Sequence, residues 1–196
     1  MKKIIAFFLV AFFLCTTAVS ALSNNLAEEK TTAPVVTETP DYDLPYPGML
    51  PDHPLYKIKT LRNKIILFLI RDPLKKAAKH LEMADKEFYA ALKLAEKDKL
   101  PLAQHTAFKA EHHMTLLVTE IKNAVYYSNQ EFPQDLAQRA HQAAEKHQGV
   151  LAGIMSRANE EQKKTLITIQ EFSLRNDEGL TKLQEELELE KLELED

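Results

Sequence analysis

Cysteine occurs once in the 196 residues, at Cys15, inside an N-terminal stretch that reads as an export leader. A mature chain without that leader therefore has no disulfide and no thiol chemistry. Glycine is nearly as scarce. The four present, Gly48, Gly149, Gly153 and Gly179, leave no room for a phosphate-cradling loop or a dinucleotide-binding turn, which excludes nucleotide enzymes. There is no Gly-x-Ser-x-Gly elbow, and the remaining Ser and Thr have no marked base nearby, so hydrolysis has no positive support. Positive charge is in deficit, 25 Lys and Arg against 29 Asp and Glu, so nucleic acid is not an expected partner. Alternation at period two is missing outside the acidic C-terminal tail, which argues against strands.

What is present begins with Lys2-Lys3, the apolar run Ile4 to Leu14 and the small residues Thr16 to Ala21. That order, closed by Val19-Ser20-Ala21, is the pattern of a cleaved signal peptide, and it predicts a secreted or extracytoplasmic protein of the cell envelope. Cleavage after Ala21 removes 21 of the 196 residues and leaves 175, enough for one domain that buries roughly 70% of its unfolded surface. Lipid attachment does not suit Cys15, which follows Phe12-Phe13-Leu14. The alternative is a leader retained as a membrane anchor, because the moderately apolar stretch to Leu22 approaches the ~20 residues of a span.

The rest of the chain divides by composition. Residues 22–43 are rich in Thr, Glu, Pro and Asn and are expected to form a disordered tether. Residues 44–176 should form a helical bundle preceded by a strap, and 177–196 an acidic helical extension carrying nine acids against two lysines. In the strap, Pro45, Pro47, Gly48, Pro51 and Pro54 forbid helix, while Leu44, Tyr46, Met49, Leu50 and Leu55 give it apolar side chains to lay on the bundle. The period then becomes helical. Leu55, Ile58, Arg62, Ile65 and Leu69 share a face, and the all-apolar run Ile65 to Ile70 suggests a central helix covered on several sides. Left uncovered, that run would be a partner site.

Asp72-Pro73 is a helix start, since Asp caps free N–H groups and Pro lacks the hydrogen that would go unpaired. The second helix should run to about Lys97, the third from Pro101 to Ser128-Asn129, and the fourth from Pro133. The fifth should begin near Glu160, where Asn159 and Gln162 form a capping box. Its stripe, Leu166, Ile169, Ser173, Leu180, Leu183 and Leu187, crosses Gly179 without a break. Short connections make the expected fold all-α, an up-and-down bundle of four to five helices behind a Pro-rich extended strap.

The seven histidines are the remaining lead to a site. None pairs with another at i,i+3 or i,i+4, the spacings that put two ligands on one helix face. His80 with Met83, or His113 beside Met114, could serve a soft metal, and His141 with Glu145 zinc, but each supplies only two ligands. His147 lies mid-stripe on the fourth helix, either as a hydrogen-bonded core residue or as a pH-sensitive packing element. Arg62 and Asp85 are charges on apolar stripes. They either pair across the seam of the first two helices or reach water at its edge. Gly149 and Gly153 form a Gly-x-x-x-Gly on the side of the fourth helix opposite its stripe.

The stretch Leu44 to Phe88 resembles a family of exported bacterial helical domains of unknown function, with a Pro-Gly strap, a Pro-Leu-Tyr-x-x-Lys helix start, an Asp-Pro turn and an Ala-Asp-Lys segment. The matching residues are Pro47, Gly48, Pro51, Pro54, Leu55, Tyr56, Lys59, Asp72, Pro73, Lys76, Ala84, Asp85 and Lys86. Glu87 stands where relatives often carry Arg. The resemblance implies export and a helical bundle and brings no catalytic residue and no cofactor. The expected function is a non-enzymatic binding or structural module whose partner is an envelope protein or surface component, with a membrane as partner only if the leader is retained. The alternative is an extracytoplasmic copper- or zinc-binding protein using His80, Met83, His112, His113 and Met114.

Overall fold

Asp72 Oδ1 accepts the Lys75 N–H at 3.1 Å with Pro73 at the first helical position, and Asn159 and Gln162 exchange side-chain to backbone bonds of 2.9 and 3.0 Å. Such local signals place the helix ends in a computed structural model that describes residues 42–195. The expected leader, and the tether up to residue 41, lie outside the described residues. The helices are α1 Tyr56–Leu69, α2 Pro73–Glu96, α3 Leu100–Ser128, α4 Gln134–Met155 and α5 Glu160–Glu195, and no strand occurs among the described residues.

Directions alternate from α2 to α5, as short connections require, and the ion pairs Lys76–Glu120 and Glu87–Lys109 fix α2 and α3 as antiparallel neighbours. In cross-section the four helices form a square in the order α2, α3, α5, α4, with α2 and α5 at opposite corners. The chain therefore crosses a diagonal between α3 and α4. Five residues, Asn129 to Pro133, make that crossing, and at about 3.3 Å each they are long enough for it. Asn129 turns the chain out of α3 in the left-handed conformation, φ 51°.

The expected stripe of α5 is buried or half-buried, and α2, α3 and α4 likewise bury one apolar face each. Four boundaries and faces differ from expectation, one of them the strap, whose Tyr46 and Leu55 are exposed and are not buried against the bundle. Tyr42, assigned above to the tether, is held on the bundle by a hydrogen bond from its hydroxyl to Asp85 Oδ2 at 2.7 Å. The bundle does not end at residue 176, because α5 continues unbroken and buries Leu180 and Leu183. The largest difference is α1, which buries none of its residues. It is not a covered central helix: Ile58, Leu61, Ile65, Phe68 and Leu69 face outward, Phe68 86% exposed. Its half-buried side is Tyr56, Lys59, Thr60, Asn63, Ile66 and Leu67. Polar anchors decide that rotation. The Tyr56 hydroxyl meets Glu87 at 2.8 Å, and Lys59 Nζ donates to the carbonyls of Pro47 and Met49 at 2.8 and 3.1 Å.

The strap binds at both ends. Pro47 is buried, Gly48 takes a positive φ of 67° that suits glycine, and Asp52 closes on Lys99 and Lys97 at the α2–α3 turn. The Lys99 hydrogen bond holds the Asp52 carboxyl below the usual carboxylate range.

Candidate functional site

The apolar core is in two pieces. One gathers Phe88, Leu94, Ala107, Leu151 and Leu166, the other Leu81, Leu117, Ile121, Ala140 and Leu183. Between them, at mid-height, each helix of the square supplies buried polar groups: Asp85 from α2, Glu111 from α3, His147 from α4, Ser173 and Asn176 from α5. On each helix these residues fall between the stretches that feed the two pieces, so the same heptad-like spacing that builds the core also aligns the layer.

Within it Asp85 is the hub. Its Oδ1 takes His147 Nε2 at 2.9 Å and its Oδ2 takes the Tyr42 hydroxyl. A carboxylate can only accept, so His147 Nε2 donates, and the ring lies stacked on Phe88 with centroids 4.0 Å apart. His147 Nδ1 is left with no hydrogen-bond partner. Burial raises the Tyr42 phenol, and Asp85 raises it further. Glu111, 0% exposed, takes Asn176 Nδ2 on Oε2 at 2.8 Å while its Oε1 has no partner. Burial pushes this carboxyl above its usual value, against the pull of His147 and of hydrogen bonds from Ser173 and Asn176. Thr115 joins through Asn176 Oδ1 at 2.9 Å.

Beside the layer, Ser173 lines an open groove of about 780 Å³ between α4 and α5, walled by glutamines, Glu145 and a hydrogen-bonded pair of His141 Nδ1 with Asp177 Oδ1 at 2.6 Å. His141 thus pairs with a carboxylate of the next helix, not with Glu145. On the far side of α2, Glu87, Lys109 and Tyr56 form a second polar cluster, with Lys109 Nζ 2.8 Å from Glu87 Oε1 and 3.0 Å from the Tyr56 hydroxyl. Burial lowers the Lys109 pKa, but Glu87 and Tyr56 outweigh it and leave it raised.

Arg62 and Asp85 do not pair. Arg62 is exposed and bonds its neighbour Asn63 Oδ1 at 3.0 Å, because α1 is turned so that this edge faces water, while Asp85 points inward to Tyr42 and His147. Of the five metal candidates the fold joins two. His80 and His113 place their Nδ1 atoms 3.0 Å apart, one donating to the other. His112 is exposed, Met83 lines a pocket under the strap and Met114 is in the core. Among the described residues no group of three or more His, Cys, Asp or Glu is placed to hold a metal ion. Sequence reasoning named Asp85, His147 and Ser173 but missed Glu111 and Asn176. Glu111 continues the Ala103, Ala107, Ala110, Met114 face of α3, and that spacing is the signal by which it is legible.

The layer can order the helices, since only one register satisfies Asp85, His147, Glu111 and Asn176 together. Besides the α4–α5 groove, the outer face of α1 is open to another molecule. Its apolar stripe is bordered by the exposed Lys57, Arg62 and Lys64, and α1 has no acid. Compared with known proteins, residues 48–190 match the domain of unknown function DUF5667, from the strap's glycine through most of α5. No curated protein and no solved structure matches.

Proposed function

The chain belongs to the DUF5667 family, and from that premise we propose that it is an exported, non-enzymatic binding module of the cell envelope that docks through the outer face of α1. One observation carries the reading: five large apolar side chains, Ile58, Leu61, Ile65, Phe68 and Leu69, form one exposed stripe on a helix that buries nothing. A monomer normally covers such a stripe, and a contiguous apolar patch left on a soluble surface marks an interaction site. The rest of the architecture serves to hold that face outward. The strap and the Glu87–Lys109–Tyr56 cluster pin the inner side of α1, and the polar layer keeps the bundle beneath it in register.

The test is site-specific photo-cross-linking in intact cells of the source organism, with a photoreactive phenylalanine analogue at position 68 and, as control, at position 174 on α5. The reading expects adducts at 68 and none at 174. Position 68 without adducts would refute it.

A further inference from the structure

Resting on that reading, we propose that the partner of α1 is the anionic surface of a lipid bilayer, with the helix lying flat in the interface and Ile58, Leu61, Ile65, Phe68 and Leu69 turned into the acyl region. Charge and its placement select this occupant. From Tyr56 to Leu81 the chain carries eight cations against the single acid Asp72; Lys76 and Lys79 pair with Glu120 and Glu82 and Lys59 turns to the strap carbonyls, which leaves Lys57, Arg62, Lys64, Arg71 and Lys75 as the exposed cluster around α1. Clusters of that size on an amphipathic helix suit anionic headgroups. The largest excess of acid is elsewhere. The eight acids of residues 177–195 belong to α5, and α5 occupies the corner of the square opposite α2, outside which α1 lies. A negatively charged surface would therefore draw the α1 side toward it and turn the acidic side away.

The geometry suits lying on a bilayer and not crossing one. Fourteen residues at 1.5 Å each give α1 a length of about 21 Å, short of a ~30 Å hydrocarbon core, and no described helix is long and apolar enough to span. Its five outward side chains are aliphatic or aromatic with no hydrogen-bonding group among them, so they need an apolar medium and no particular polar counterpart. Self-pairing of α1 with α1 of a second copy is opposed by charge, because each copy brings cations and no acid to the seam.

The chain contains no tryptophan, so Phe68→Trp in the full chain gives a probe confined to α1, unaffected by any contribution of the N-terminal leader. On vesicles of phosphatidylcholine mixed with phosphatidylglycerol, its emission should shift to the blue and be quenched by lipids brominated on the acyl chain. Vesicles of phosphatidylcholine alone, or molar salt, should abolish both effects. Leu174→Trp, on α5, should show neither. Adding Lys57→Gln or Lys64→Gln to the probe variant should weaken partitioning about fivefold per cation. Emission at position 68 that ignores phosphatidylglycerol vesicles would overturn the proposal. If it shifts instead with protein concentration in the absence of lipid, a second copy covers α1. If photo-cross-links at 68 in cells go to a protein, the occupant is a protein surface. Either result rejects the bilayer and leaves α1 as the docking face, whereas absence of any adduct at 68 in the cross-linking experiment removes the docking reading itself.

Discussion

Asp85 joins α2 to the strap and to α4 through one carboxylate, and it is buried with Tyr42 and His147 as its partners. Removing one member of a buried, hydrogen-bonded set leaves the others desolvated and unpaired. Asp85→Ala should therefore lower the unfolding free energy by about 3–5 kcal/mol in urea titration. Arg62→Ala, at an exposed edge, should change it by no more than about 0.5 kcal/mol, and the double variant should be additive. Coupling between the two would revive the ion pair that the fold does not form. The sequence showed that both residues were odd for their stripes. It could not show which way α1 turns, and so could not tell a partner from a solvated charge.

His80 and His113 make a prediction of another kind. Burial lowers His80 to about 4 and His113 to about 3, from an unfolded value near 6.5, and the remaining neighbours Lys76, Lys109, His112 and Glu120 do not reverse this. Between those values the unfolded chain binds protons that the folded chain refuses. The contribution to stability is thus complete above pH 6.5 and is lost as pH falls through about 4 toward 3. Measured against the His80→Gln/His113→Gln variant, wild type should lose ground steadily as pH drops below 6.5. Parallel curves from pH 7 to 4 would contradict a neutral, mutually bonded pair.

At the level of the element, α5 and α1 contrast. Gly179 sits inside α5, where an added Cβ would meet nothing within 4 Å, and it does not need a positive φ. Gly179→Ala should then raise stability by about 0.5–1 kcal/mol through helix propensity alone, read as a higher urea midpoint at unchanged slope. A drop would mean that the position is softened for some purpose. Gly153 is closer to its surroundings, with Leu92 Cδ1 at 3.9 Å from the position of a Cβ, an ordinary contact between α4 and α2. Helix ends were legible because their chemistry is local: Asp72-Pro73, Asn159 with Gln162, and Asn129 all act within a few residues. The face of α1 was not. From Ile65 to Ile70 every residue is apolar, so periodicity offers two stripes of equal merit, and distant groups on α2, α3 and the strap chose between them. Glu87 is one of those groups, and it pairs with Lys109 and Tyr56.

Across the whole molecule, a core cut by a polar layer and a surface charged oppositely at two corners come from the same amphipathic helices. Each helix of the square carries its polar interruption at the same height, so the layer assembles only when all four are aligned, and sliding one by a turn would place a carboxylate or an imidazole against leucine. The basic run through α1 and α2 and the acidic run of α5 were plain in the linear chain. Their separation onto opposite corners required the diagonal crossing between α3 and α4, which makes α2 and α4 parallel neighbours and moves α5 away from α2. Composition and periodicity alone determined that this chain forms helices, where they start and stop, and which faces of α2 to α5 are greasy, because those properties depend on residues within a turn or two of one another. The exposed stripe of α1, the meeting of Asp85 with His147 and Tyr42, the pairing of His80 with His113 and the side to which each charge cluster faces were decided by tertiary packing, since every one depends on contacts between residues more than thirty positions apart, or on which corner of the bundle a helix occupies.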